Sequence, residues 1–244
     1  MPAAHPPPVR SHAPSLPLKP PRRKLGSANG AEESRRYAGL SALERRRGRR
    51  ERLIEAGLEY YGTVGFRHTT IPQLCSFAGV TARHFYEEFE TQENLLQAIY
   101  DGIAETVMTN VGAELAVPAR RWNDIVDKAC FAYFALITKD KRRARVFALE
   151  VVGVSPALDL HRKKFRDSFA ALTTSSTKRF VAQGHRPDID VHMLSISLAG
   201  AAEAQTIDWL LTRPRPSVAG LAEHLAMLWK RSLLMDEATG KAIA

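Results

Sequence analysis

From about residue 41 to residue 235, apolar side chains recur every three or four positions. Runs that alternate apolar with polar residues and are enriched in β-branched side chains are nearly absent. The spacing predicts nine helices, no sheet and an all-α fold. The first helix should run from Ser41 to Val64, with Leu53, Ile54, Gly57, Leu58 and Tyr61 on one face and capping-box spacing in Ser41-Ala42-Leu43-Glu44. The second starts near Thr70 with Pro72 in its first turn, the third at Thr81, and the fourth at Thr91. The fifth covers Arg121–Thr138 and the sixth Lys141–Val152. The seventh is capped by Ser155-Pro156 and ends at Gly184. The eighth is capped by Asp188 and runs to Leu211, and the ninth is capped by Ser217 and runs to about Met235.

Composition separates the first residues from the rest. Residues 1–30 hold 8 of the 14 prolines and few large apolar side chains. They cannot bury enough surface to offset the entropy of ordering, so residues 1–35 are expected to be a disordered, basic, proline-rich tail. The formal net charge of +9 is carried by residues 1–50, which have 12 Lys and Arg against 3 Asp and Glu. Charge of one sign at one end suits a nucleic acid or another anionic surface, and it also suits a solubilising tail. Two cysteines, Cys75 and Cys130, are too few for a disulfide framework. No run is long and apolar enough for a membrane span, and no secretory leader is recognisable, so a cytoplasmic location is expected. No Cys/His metal spacing, glycine-rich phosphate loop or nucleophile elbow is present; neither catalytic residues, metal nor cofactor are expected.

The chemistry concentrates where the second and third helices join. Phe77-Ala78-Gly79-Val80-Thr81 offers a small residue, a glycine for a sharp turn, an apolar plug and a Thr cap, which is the pattern of a helix-turn-helix. In that frame the first turn of the third helix, Thr81-Ala82-Arg83-His84, faces base edges in a major groove. Arg83 could there donate two hydrogen bonds to a guanine; outside that frame it is an ordinary surface arginine.

Gly65-Phe66-Arg67-His68-Thr69-Thr70-Ile71, Ala78-Gly79-Val80-Thr81, Phe85-Tyr86-Glu87-Glu88-Phe89 and Glu93-Asn94-Leu95-Leu96 together resemble the N-terminal domain of the TetR family of bacterial transcriptional regulators. The resemblance is continuous from about Arg47 to Asp101. It implies a helix-turn-helix domain over 36–101, with the motif at about 70–89, and a helical ligand-binding and dimerisation domain over 102–236. A tail covers 237–244. It further implies that Thr70, Thr81 and Tyr86 contact phosphate and that Ala82, Arg83 and His84 read bases. Gln92 stands where the family usually has a phosphate-binding lysine. Glu87, Glu88 and Glu90 make the end of the third helix acidic; Arg47, Arg49 and Arg50, with Arg45 and Arg46, are placed by charge near the DNA backbone, where they could compensate.

Helices five to eight are rich in aromatics: Trp122, Phe131, Phe134, Phe147, Phe165, Phe169 and Trp209. A plain core and a ligand cavity share this composition, so the same residues serve either. Buried charges look few there, which favours an uncharged or weakly acidic apolar ligand. Tyr133, Thr106, His161 and Gln205 are the polar groups able to orient it. The expected function is a non-enzymatic, homodimeric DNA-binding regulator. It would be a repressor released from a pseudo-palindromic double-stranded operator by a small apolar effector. Its dimer would form through about 188–235, where Gly200, Ala201 and Ala204 permit close approach and Leu221, Leu225, Leu228 and Trp229 add apolar surface. The alternative is a constitutive or architectural DNA-binding protein whose C-terminal domain only dimerises.

Overall fold

The computed structural model describes residues 41–117, 121–181 and 190–233, together with the backbone of 235–236 and 241–242. The expected tail over 1–35, the end of the seventh helix at Gly184 and the cap at Asp188 lie outside those residues. The chain divides into two compact units, Met1–Arg45 and Arg46–Ala244. Of the first, Ser41–Arg45 is described. There the Ser41 N–H donates to Glu44 Oε2 at 2.7 Å and the Glu44 N–H to Ser41 Oγ at 3.2 Å, so the capping box forms.

The helices are α1 (Ala42–Thr63), α2 (Ile71–Ala78), α3 (Ala82–Glu88), α4 (Gln92–Leu115), α5 (Trp122–Thr138), α6 (Lys141–Arg145), α7 (Pro156–Val181), α8 (Val191–Leu211) and α9 (Val218–Ser232). A 3-10 turn, Phe66–His68, precedes α2. The fold is all-α, as the periodicity requires, with three differences from it. Helix six does not continue to Val152 but passes into a π-helical turn at Val146–Glu150. The cap of α8 is Asp190, whose carboxylate accepts from the N–H groups of His192 and Met193 at 2.9 and 3.1 Å. A two-residue antiparallel pair sets Met235 opposite Ala242 and Asp236 opposite Lys241.

Short helices need neighbours to hold them. α2 and α3 have eight and seven residues. They bury Leu74, Cys75, Ala78 and Phe85 in a core shared with Leu53 and Tyr61 of α1 and Leu95 and Leu96 of α4. α1 lies so close to α4 that a Cβ on Gly57 would stand 2.6 Å from Ile99 Cδ1. Beyond α4, α5 packs on both α4 and α9, and α7 packs on α8. Trp122 stacks on Phe180 at 4.6 Å and meets Trp229 edge-on at 5.7 Å. Both cysteines are buried, and burial pushes the Cys130 thiol up to about 12, so it behaves as a small apolar group.

The end of α1 meets the backbone of α6. A Cβ on Gly62 would lie 2.6 Å from Arg142 Cα, a backbone atom that cannot swing aside. Gly102, midway along α4, has nothing within 4 Å of such a Cβ. Gly62→Ala should therefore destabilise the fold by about 1–3 kcal/mol in urea denaturation. Gly102→Ala should stabilise it by about 0.5–1 kcal/mol, the ordinary helical gain.

Candidate functional site

The turn between α2 and α3 depends on Gly79, which caps α2 in the left-handed region at φ 62. Val80 follows, half-buried against the core. Thr81 caps α3, its hydroxyl accepting from the His84 N–H at 3.3 Å. Phe85 anchors the helix from below, fully buried. The first turn is thus held from inside and left open outside. Ala82 is exposed, His84 half-buried, and the Arg83 side chain 87 % exposed. Arg83 Nε reaches Glu87 Oε1 at 3.1 Å one turn on. An exposed pair of this kind is worth about 0.3–0.5 kcal/mol, so little opposes its re-aiming. Tyr86 is 57 % exposed and sets its ring edge-on to Phe85 at 5.5 Å.

Thr70, at the head of α2, is exposed. Its N–H and its hydroxyl both donate to Gln73 Oε1, at 2.8 and 2.9 Å. Gln92 gives its carboxamide N–H to Thr69 O at 2.9 Å, which ties the start of α4 to the strand of chain leading into α2. The side chain that stands in the lysine's place is therefore used inside the protein.

The arginines of α1 divide. Arg47 pairs with Glu51 on its own helix at 2.9 Å and is largely exposed. Arg46 donates to Glu88 Oε2 and Glu87 O, both at 3.3 Å. Arg49 lies 3.9 Å from Glu87 and 3.8 Å from Glu88. Arg50 donates to Glu88 O at 3.2 Å and lies over the Phe89 ring at 4.4 Å. Arg46, Arg49 and Arg50 thus hold the acidic end of α3 onto α1. The acidic residues read from the sequence as an electrostatic burden are the other half of that clamp.

A second set of contacts links this domain to α6 and the π turn. Glu150 accepts from the Phe66 N–H at 2.8 Å and from Arg145 Nε at 2.7 Å. Arg142 reaches Glu59 at 2.6 Å, Glu55 at 3.2 Å and Asp140 at 2.7 Å. Its guanidinium holds the Asp140 carboxyl below its ordinary value, chiefly through their hydrogen bonds. Ser155, ahead of α7, hydrogen-bonds Glu93 in the first turn of α4.

The π turn also faces a cavity. Phe147 stacks on Tyr100 of α4 at 5.2 Å and meets Phe165 of α7 edge-on at 5.7 Å. These three, with Tyr133 and Phe169, line a narrow cleft whose polar side is Arg162, Arg166 and Glu203. A second small hollow adjoins it through Tyr133, Phe169 and Ala202 and is almost wholly apolar, ending on Leu225 and Trp229. Burial pushes the Tyr100 and Tyr133 hydroxyls up, so both stay protonated donors.

Of the seven aromatics singled out in the sequence, Phe147, Phe165 and Phe169 line this cleft. Phe134 is fully buried against Tyr133, and Trp209 is buried with the Arg215 guanidinium 5.1 Å from its ring. Trp122 belongs to the stack with Phe180, and Phe131 is 50 % exposed, on the opposite side of α5 from its buried face. Among the four polar candidates, Tyr133 lines the cleft, whereas His161 Nε2 is held by Asp101 at 2.5 Å. Among the described residues of α5 to α8 one charged residue is buried, Arg162, which is 7 % exposed and pairs with Glu203 at 2.6 Å. The signal was present, since Arg162 and Arg166 share a helical stripe with Phe165 and Phe169.

Residues 53–99 match the family model described as bacterial regulatory proteins, tetR family. A search of curated proteins found no match. Solved structures share the fold. A regulatory protein of the tetR family from Rhodococcus RHA1 is 20 % identical over 76 % of this chain and 96 % of its own, with a TM-score of 0.63. The transcriptional regulator FadR from Bacillus subtilis, solved in complex with stearoyl-CoA, is 14 % identical over 73 % and 96 %, with a TM-score of 0.67. The fatty acid degradation regulator FadR from Bacillus halodurans is 14 % identical over 74 % and 94 %, with a TM-score of 0.68. The likeness to the TetR family read from the residues is therefore shown: the chain has the fold of a TetR-family transcriptional regulator, with that family's helix-turn-helix at its N-terminal side.

Glu88 is the clamp's buried member, its side chain only 2 % exposed. Glu88→Ala leaves two arginines without that partner and should cost about 1–3 kcal/mol in urea denaturation. Arg47→Ala, at an exposed pair, should change stability by less than about 0.5 kcal/mol.

Proposed function

We propose that the protein is a homodimeric, operator-binding transcriptional repressor that a small amphipathic ligand releases from DNA. The observation that carries this reading is the double role of the π turn. Phe147 lines the cleft, and Glu150, three residues on, holds the Phe66 N–H ahead of α2. A ligand that moves the wall of the cleft thereby moves the chain leading into the helix-turn-helix. Its effect on DNA is limited to its differential affinity for the two arrangements; a shift from 1:99 to 99:1 needs about 5.5 kcal/mol.

In this reading Arg83, Ala82 and His84 read bases, while Thr70, Thr81, Tyr86 and the exposed Arg47 meet phosphate. Arg49 and Arg50 contribute by fixing α3. The basic N-terminal residues add sequence-independent affinity. The FadR structure with stearoyl-CoA supports an apolar tail as part of the effector.

Dimerisation is assigned to one face of α8 and α9. Leu221, Leu225 and Trp229 are buried within the chain, and Ala201 packs against its core. Met193, Ile196, Gly200, Ala204, Leu211 and Leu228 remain exposed, and a Cβ on Gly200 would meet nothing within 4 Å. Such a face lets a second copy approach closely in a twofold contact. Two copies would then offer α3 to successive major grooves about 34–36 Å apart.

Selection of binding sites from random DNA tests the reading. The wild type should select an inverted repeat; Arg83→Ala should lose about 1–3 kcal/mol at that site and relax one position of each half. Tyr86→Phe should weaken all sequences equally. An unchanged selected motif for Arg83→Ala removes that residue from base reading. Ala204→Glu should yield monomers in sedimentation and lose operator binding, and a full-strength dimer from this variant would remove α8 from the interface.

A further inference from the structure

Arg162 is an expensive residue to bury. Its Nη2 pairs with Glu203 Oε1 at 2.6 Å, and Nη1 lies 3.7 Å from Asp159. Its Nε–H, shielded from solvent, has no hydrogen-bond acceptor. A guanidinium presents its Nε–H and Nη2–H on one edge, the edge that grips a carboxylate most tightly. Here half of that edge is satisfied and half is left open. The residue lines the cleft, and Arg166 joins it there, with Nη1 3.7 Å from Glu203 Oε2. The two guanidinium groups are thus met by Glu203 and Asp159, yet the Arg162 Nε–H stays unmatched. The remaining walls are aromatic, and the adjoining hollow beyond Tyr133 and Phe169 is almost wholly apolar.

The geometry points to a monocarboxylic acid with an extended apolar tail as the effector: its carboxylate accepts from Arg162 Nε, and its tail lies along the aromatic wall toward Trp229. This assignment rests on the cleft being the effector site, and it adds the chemical class. An unmet N–H in an apolar wall costs free energy that a ligand oxygen restores. An alcohol of the same shape offers the Arg162 Nε–H a neutral acceptor, a weaker partner than a carboxylate, and an ammonium offers it no acceptor at all. The Arg162–Glu203 pair alone does not account for the arrangement, because that pair closes without using Nε.

The test measures binding of decanoate, decanol and decylamine to the full-length protein by calorimetry, with tryptophan fluorescence as a second readout. Decanoate should bind at least tenfold more tightly than decanol, and decylamine most weakly. In Arg162→Gln, decanol should bind as in the wild type while the preference for decanoate falls below threefold. Retained decanol binding shows that the variant still folds around its cavity. Arg166→Gln should lower the preference by a smaller factor, and Phe131→Ala, outside the cleft, should not alter it. Equal binding of decanoate and decanol by the wild type overturns the acid assignment and leaves the cleft standing as an apolar site. A preference for decanoate that survives in Arg162→Gln overturns the role of Arg162. Binding of none of the three overturns the effector site itself, and the acid assignment with it.

Discussion

The hydrogen bond from the Phe66 N–H to Glu150 crosses between parts of the chain that sequence separates by more than eighty residues. Much depends on it. Gly65, immediately before, has φ 103, where a side chain is strained, and a Cβ there would stand 3.3 Å from the same carboxylate oxygen. The other oxygen of Glu150 accepts from Arg145, whose guanidinium also donates to Thr63 O at 3.2 Å. So the end of α1, the 3-10 turn and the approach to α2 are all held by one short segment. With eight and seven residues, α2 and α3 are too short to set their own position. They inherit it from α1 and α4 on one side and from residues 141–150 on the other.

What the sequence made legible is what neighbouring residues decide among themselves. The caps at Ser41, Thr81, Thr91 and Ser217 are local bargains between a hydroxyl and the backbone N–H three residues on, and each forms. The Gly79 turn is equally local. The break in helix six is not. Lys141–Val152 reads as one amphipathic run, and the π turn arises because Phe147 must face Tyr100 while Glu150 faces Phe66, a demand set by distant partners. The buried face of α8 was illegible for another reason: the helix is apolar nearly all round, with Leu194, Leu198 and Ala202 inside and Met193 and Ile196 outside.

The candidate sites follow the same division. Thr81, Ala82, Arg83 and His84 could be placed on one turn from the joint at Gly79, whereas Tyr86 came with the family resemblance. The arginines of α1 could not be divided from one sequence, because the division depends on Glu87 and Glu88, some forty residues away in the chain. Aromatic composition likewise marked a region without distinguishing Phe147 at a cleft from Phe134 in solid core. Packing around each ring decides that, and packing is a property of the assembled helices.

A π turn is, in effect, an α-helix carrying one residue more than its hydrogen bonds need. Val146–Glu150 therefore stores a count as well as a composition. Deleting Ala148 would let the segment close as ordinary α-helix with the chain on either side keeping nearly its present direction, because the turn does no more than absorb the extra residue. What would change is the spacing between Phe147 on Tyr100 and Glu150 on Phe66, shortened by one residue with both side chains kept. Length between Arg145 and Val151 is thus a constraint of its own beside residue type: one residue fewer draws the ring contact and the carboxylate contact out of step while the helices on both sides stay folded.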